Sequence, residues 1–207
     1  QSELIQDWLD GRDFCIQDKP LGTGHAVQAA ASALADFDGV ALIMFAETPL
    51  VTADTLTRLA SSIDAKTSVA VLGFETADPH GYGRLVTDSN GHLTRIVEDK
   101  DTNEDEQRIC LVNGGIMAVR CPLLFELLVE VQPNNKSGEI YLTDIIQLAY
   151  QNGHKVVCQI ADEAEIAGVN DRADLAHLEA ILQRRLRHAA MQQGATLIAP
   201  DTVFLSA

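Results

Sequence analysis

The chain predicts an α/β domain, and three observations carry that expectation. Short β-branched apolar runs alternate with amphipathic stretches of helical length. The run from Val40 to Ala46 is apolar throughout, as expected of a strand covered on both faces of a sheet. A single strong hairpin signal interrupts the alternation. The expected architecture is a mostly parallel sheet flanked by helices, with an antiparallel hairpin inserted.

The elements follow in chain order. Val40 to Phe45, Ser68 to Phe74 and Lys155 to Ile160 read as strands, the first near-continuously buried. His25 to Ala35, Ala53 to Ile63, Pro122 to Val131 and Leu142 to Gln151 read as helices, the last with Thr143 as N-cap and Gly153 at C′. From Arg84 to Glu98, two alternating segments flank Asn90-Gly91, which predicts the hairpin. Glu98 to Arg108 holds six acidic and two basic residues and reads as a solvated loop or helix face. Asp171 to Gln193 lacks Gly and Pro, sets Leu175, Leu178, Leu182 and Leu186 on one face, and stops at Gly194. That predicts one helix of about 23 residues, on the order of 35 Å long. After it, Ala195 to Leu205 turns to short β-type residues around Pro200-Asp201.

At 207 residues the chain suits about one domain with an appended piece. Lys and Arg number 15 against 30 Asp and Glu, a net charge of −15 with an isoelectric point near 4.6. Duplex nucleic acid is excluded as a partner, because neutralising phosphates needs clustered Lys and Arg. A phosphorylated small substrate is not excluded, since a metal ion or a few local cations can offset its charge. The apolar run at 40–46 is far below the roughly 20 residues that span a bilayer, so no membrane partner is expected. Cys15, Cys110, Cys121 and Cys158 form no CxxC and read as small apolar residues in a reducing cytosol. No secretory signal opens the chain, which begins at Gln1, and a cytoplasmic location is expected.

Gly22-Thr-Gly-His-Ala26 begins like a dinucleotide fingerprint, but the third glycine position is Val27, which argues against a Rossmann oxidoreductase. Its glycines precede a helix, so free N–H groups and the Thr23 hydroxyl could meet a nucleotide, or Thr23 could simply cap the helix. Glu47 follows the apolar strand, where α/β sheets bind ligands, and reads as a divalent-cation ligand or an exposed loop acid. Gly81-Tyr-Gly-Arg84 allows either close backbone approach to a ligand or a tight turn. Asn170, before the long helix, reads locally as its cap and otherwise as a neutral metal ligand. No His pairs with a Ser or Cys, so no nucleophile or general base is assigned.

Taken in order, a set of segments resembles one family. They are Leu21-Gly-Thr-Gly-His-Ala26, Glu47-Thr-Pro-Leu50, Gly81-Tyr-Gly-Arg84, Ile96-Val-Glu98 with Lys100-Asp101, and Asn113-Gly-Gly-Ile116. Gly138-Glu-Ile-Tyr-Leu-Thr-Asp144 and Gly168-Val-Asn-Asp-Arg172 complete the set. The chain resembles the uridylyltransferase half of the bifunctional N-acetylglucosamine-1-phosphate uridylyltransferase / glucosamine-1-phosphate acetyltransferase (GlmU) family. The resemblance implies a Rossmann-like nucleotidyltransferase domain over 1–170, its first strand and glycine-rich loop lacking. A connecting helix over 171–194 and the start of a left-handed β-helix over 195–207 would follow. It implies that uridylyl passes from UTP to N-acetylglucosamine-1-phosphate, giving UDP-N-acetylglucosamine for cell-envelope synthesis, with Mg²⁺ as cofactor. A homotrimer, and acetylation of glucosamine-1-phosphate by the longer protein, are implied as well. By the same resemblance, Gln17, Gly22 and Thr23 contact the uracil, and Gly83, Glu98 and Asn113 line the sugar side. Tyr141 helps close the amino-sugar pocket, and Asn170 binds the nucleotide sugar and, with Glu47, the metal.

Two departures matter. The family has Gly-Asp where this chain has Ala46-Glu47, and a longer carboxylate is expected to hold Mg²⁺ more weakly, directly or through water. The family's Leu-Ala-Ala-Gly-x-Gly-Thr loop and following Lys, which hold the triphosphate, have no counterpart here. Gln1 to Ile5 instead aligns inside the domain, so these residues alone are expected not to turn over substrate. A sister enzyme acting on glucose- or mannose-1-phosphate, and a non-catalytic nucleotide-sugar binding module, are the competing readings.

Overall fold

In the computed structural model, residues 5, 6, 9 and 11–206 are described, so Gln1 to Leu4 of the aligned opening segment lie outside them. Six strands form one sheet: β1 (Val40–Ile43), β2 (Thr67–Glu75), β3 (Arg84–Thr87), β4 (Leu93–Val97), β5 (Leu111–Arg120) and β6 (Lys155–Ile160). They run in the order β4-β3-β5-β2-β6, with β1 also paired to β5. The sheet is mixed. Only β2 and β6 pair in parallel; β5 runs against β1, β2 and β3, and β3 against β4. This corrects the expectation of a mostly parallel sheet: β1, β2, β3 and β6 share a direction, but only one of their pairings is parallel. The inserted β5 makes most actual pairings antiparallel.

Alternation along the two central strands builds a core on each face. Val69 and Val71 of β2 and Met117 and Val119 of β5 face α3 (Cys121–Glu130) and α4 (Asp144–Gln151), against Leu124, Leu127, Ile145 and Ile146. Ala70, Leu72 and Phe74, with Ile116 and Ala118, face the other way. There they meet Leu59 of α2 (Ala53–Ser61) and Ile166 of the short α5 (Glu163–Ile166). The run at 40–46 is less covered than expected. Leu42 is 40% and Met44 42% exposed, because among the described residues β1 pairs with β5 alone.

The hairpin forms as predicted, with Gly91 at φ 81° in the turn between β3 and β4. Gly153 and Gly194 take the positive φ expected just past the helices that end before them. The helix expected over 25–35 is α1 (Thr23–Gln28) followed by tight turns to Asp36, in which Ala30 and Ala31 bond back only three residues.

The long helix is α6 (Arg172–Gln192), capped by Asp171, whose carboxylate accepts from the N–H groups of Ala173 and Asp174. Leu178 is buried as expected, but Leu175 is exposed, while Gln183 and Arg187 are buried. The tail after Gly194 explains both: it folds back along α6 with one 3₁₀ turn at Pro200–Thr202 and no strand. Gln183 exchanges two hydrogen bonds with the Leu205 backbone, and Arg187 donates to the Pro200 carbonyl. Toward the site, Leu178 and Ile181 pack on Leu50, and Arg185 donates to the Leu50 carbonyl at 2.8 Å. The long helix thereby braces the loop that carries Glu47.

Candidate active site

Three strands lay three of the expected site residues side by side. Arg84 pairs with Val97 of β4 and with Val112 of β5. In antiparallel register the next row toward the strand ends is therefore Glu98, Gly83 and Asn113, and the Asn113 N–H donates to the Gly83 carbonyl at 2.8 Å. A Cβ on Gly83 would press on Ile96 at 2.9 Å and sit 3.5 Å from the Glu98 carboxylate and 3.6 Å from Asn113. Glycine there leaves the row's centre open to a ligand.

Beside this row β5 bulges. Leu72 pairs with Ile116 but Gly73 with Asn113, so Gly114 and Gly115 are extra residues on the bulged strand. Both must be glycine: a Cβ on Gly114 would meet Ile166 and the Leu72 carbonyl within 3 Å, and Gly115 has φ 75° against the Phe45 ring. The bulge turns the Gly115 N–H onto Asn113 Oδ1 at 3.0 Å, which leaves the Asn113 amide hydrogens free for a ligand.

The loop after β1 closes the other side. The Glu47 carbonyl accepts the Val169 N–H at 2.8 Å, which brings Glu47 beside Asn170. Asn170 is not the helix cap read from local sequence; Asp171 caps, and the Asn170 N–H bonds the Asp174 carboxylate. Asn170 nonetheless lines the cavity. Thr143 stands at the N-cap of α4 but makes no capping bond; its hydroxyl donates instead to Glu98 Oε1 at 2.9 Å.

These parts enclose two adjoining cavities of about 350 and 330 Å³ that share Phe45, Glu47, Asn113 and Gly115. Together they collect Thr23, Glu47, Gly83, Glu98, Asn113 and Asn170. Gln17 lies next door, in a separate cavity with His25, donating to the Gly22 carbonyl at 3.1 Å. Gly22 lines neither cavity but packs on the Ile140 backbone. Tyr141 is also outside the cleft. It lines a cavity of about 610 Å³ together with Arg95, Asp101, Lys136 and Asp144, and its buried hydroxyl has no hydrogen-bond partner among the described residues. His80, Tyr82 and Thr143 line the cavities too; Tyr82 and Thr143 fall inside the family motifs and His80 beside one, but the motifs assign them no role.

The cleft is electronegative, with Glu47 and Glu98 in its lining and, among the described residues, no Lys or Arg there. Behind it, burial and then the nearby Glu98 and Asp101 carboxylates raise the Asp144 pKa from 3.8 to about 6. Between pH 4 and 6 the unfolded chain ionises this group before the folded one does, so the folded state binds more protons and stability falls across that window as pH rises. Above pH 6 the penalty is constant. Asp144→Asn is expected to raise the melting temperature at pH 7 and to flatten its decline between pH 4 and 6. Thermal unfolding of both proteins across pH 4–8 checks this, and parallel curves would contradict it.

A mixed sheet with a bulged central strand thus gathers carboxylates, amides and glycine backbone around one cleft, and the match to known domains is to the nucleotide-transferring class. The chain belongs to the nucleotidyl transferase family, whose model matches residues 7–171. Its curated relatives carry the name bifunctional protein GlmU, in line with the resemblance read from the motifs. The protein of Maricaulis maris is 50% identical over 196 residues, covering 95% of this chain and 43% of its own length. Those of Zymomonas mobilis and Rhodospirillum rubrum are 46% and 49% identical over 99% of this chain, and 47% and 46% of theirs. The chain thus spans somewhat under half the length of these relatives. A solved structure, UDP-glucose pyrophosphorylase complexed with UDP-glucose, shares the fold at TM-score 0.57 and 21% identity. That match covers 69% of this chain and 55% of the other. Among the described residues, no helix is long and apolar enough to cross a membrane.

Proposed function

We propose that this chain is the uridylyltransferase part of a GlmU-type protein, transferring uridylyl from UTP to N-acetylglucosamine-1-phosphate with release of pyrophosphate. The supporting observation is the convergence in one cleft of the Glu98–Gly83–Asn113 row with Glu47 and Asn170. The reaction needs no protein nucleophile, because a phosphate oxygen of the sugar phosphate attacks the α-phosphorus in line and pyrophosphate departs. What the protein must do is position two anions and keep water from competing.

The residues have matching capacities. The Asn113 amide hydrogens can donate to sugar or phosphate oxygens, and the Glu98 carboxylate, held by Thr143, can accept from sugar hydroxyls. Thr23 Oγ1 accepts the Leu142 N–H at 3.0 Å, which leaves its hydroxyl hydrogen for a carbonyl of the base.

Glu47 and Asn170 fit a magnesium ion. Each offers a hard oxygen in the same cavity, and the Glu47 carboxylate takes no hydrogen bond from the described residues. Two protein ligands suit Mg²⁺, which keeps waters and takes substrate phosphates for the rest of its shell. When bound, the ion supplies charge neutralisation to the phosphates.

In the same reading, 1–170 form the nucleotidyltransferase domain, 171–194 the connecting helix and 195–207 the lead into a β-helix. The longer protein would be a cytoplasmic homotrimer that also acetylates glucosamine-1-phosphate. The test is Mg²⁺-dependent pyrophosphate release by the full-length protein from UTP and N-acetylglucosamine-1-phosphate, with glucose-1-phosphate alongside. Turnover preferring the amino sugar supports the reading, and preference for glucose-1-phosphate replaces it with the sister enzyme. Tight UDP-N-acetylglucosamine binding without turnover replaces it with a binding module disabled at Ala46-Glu47.

A further inference from the structure

Resting on the uridylyltransferase reading, we propose that Arg84 is a positioning residue. Its guanidinium fixes the Gly81-Tyr82-Gly83 loop against the Glu98-Asp99 segment and so sets the geometry of the sugar-phosphate end of the cleft. Arg84 occupies the row directly behind Gly83, Glu98 and Asn113, the only point among the described residues at which β3 pairs in register with both β4 and β5. It is 2% exposed, although its row neighbours Val97 and Val112 are apolar. An apolar residue would pair the strands as well, and burying a guanidinium is costly unless its hydrogen bonds have a use.

Those bonds run to the two cleft walls that lack strand structure. One Nη donates to the Tyr82 carbonyl, inside the glycine loop, and the other to Asp99 Oδ1 at 2.8 Å. Asp99 Oδ2 also lies 3.9 Å from His80 Nε2, so the glycine loop and the Glu98-Asp99 segment meet at this carboxylate. Burial pushes the Asp99 carboxyl up, but the Gly81 N–H and the Arg84 guanidinium more than offset this and hold it below its ordinary value. Arg84 Nε has no partner among the described residues, so the side chain is placed for its two forked ends and not for complete satisfaction. A lysine brings one point charge and cannot span both acceptors in the same fork.

The experiment is steady-state kinetics of the full-length protein with Arg84→Lys, Asp99→Asn and the double variant. Arg84→Lys is expected to raise KM for N-acetylglucosamine-1-phosphate about tenfold or more while KM for UTP changes less than about twofold. Because the two residues bond each other directly, the double variant should cost little more than the worse single one. Unchanged sugar-phosphate KM in an active Arg84→Lys protein overturns the proposal and leaves the uridylyltransferase reading intact. An equal rise in both KM values, additive effects, or failure of both single variants to fold would assign the pair to general stability and overturn it too. A wild-type protein without turnover overturns the underlying reading, and the proposal with it.

Discussion

Glu47→Ala in the full-length protein is expected to cut pyrophosphate release by about 10² or more at saturating Mg²⁺, the scale on which removing one preorganised electrostatic partner acts. The argument begins with the backbone. Arg185 holds the Leu50 carbonyl and Leu178 packs on Leu50, while the Val169 N–H holds the Glu47 carbonyl. The loop therefore cannot drift to bring another donor forward, and the other carboxylate in the lining, Glu98, is engaged by Thr143. With Glu47 truncated, Asn170 offers only a neutral oxygen to the cation. Glu47→Asp makes the complementary test. The shorter side chain restores the family's carboxylate, so the Mg²⁺ concentration for half-maximal rate should fall several-fold. A rate for Glu47→Ala with unchanged Mg²⁺ dependence would remove Glu47 from the metal site.

How much of this was legible in the sequence depends on the range of the interaction concerned. The Asn90-Gly91 turn and the stops at Gly153 and Gly194 are set by local φ preferences, and they formed where they were expected. Glu47 and Glu98 follow the C-terminal ends of β1 and β4, which run in opposite directions, and Asn113 lies inside β5; the pairing register brings them to one cleft, and periodicity does not carry that register. Asn113-Gly114-Gly115 interrupts the apolar pattern of Leu111–Arg120, so neither β5 nor its direction is among the expected elements. Side chains whose partners are distant in sequence were hidden as well. Thr143 looked like a cap because caps are local, yet its hydroxyl belongs to Glu98, 45 residues earlier. Gln183 and Arg187 looked like solvent-facing positions until the tail returned to cover them. Tyr141 carries a family motif, but the path of the chain turns it into the neighbouring cavity.

Gly22→Ala is expected to be the most damaging single methyl group in the chain. Gly22 has φ 116°, where a Cβ is strained, and that Cβ would lie 2.5 Å from the Ile140 oxygen and 2.8 Å from its nitrogen. Both obstacles are backbone. The Ile140 N–H donates to the Leu21 carbonyl and its carbonyl accepts the Gly24 N–H, each at 2.8 Å, so the two segments are clasped on both sides of the contact. Conformational strain of about 1–2 kcal/mol adds to overpacking of about 1–3 kcal/mol, together about 3 kcal/mol. For a domain of this size that lowers the melting temperature by roughly 6–12 °C. Gly91→Ala is the control: its φ is 81° and a Cβ there meets nothing within 4 Å, so only the conformational cost of about 1 kcal/mol applies. Function should separate the two further. Ile140 leads into Leu142 and Thr143, which hold Thr23 and Glu98, so prising Gly22 away displaces the base-side and sugar-side contacts from one another. KM for UTP should rise about tenfold in Gly22→Ala and stay unchanged in Gly91→Ala. A Gly22→Ala protein that melts like Gly91→Ala would mean that the clasp yields, and that glycine is there for the chain's path alone.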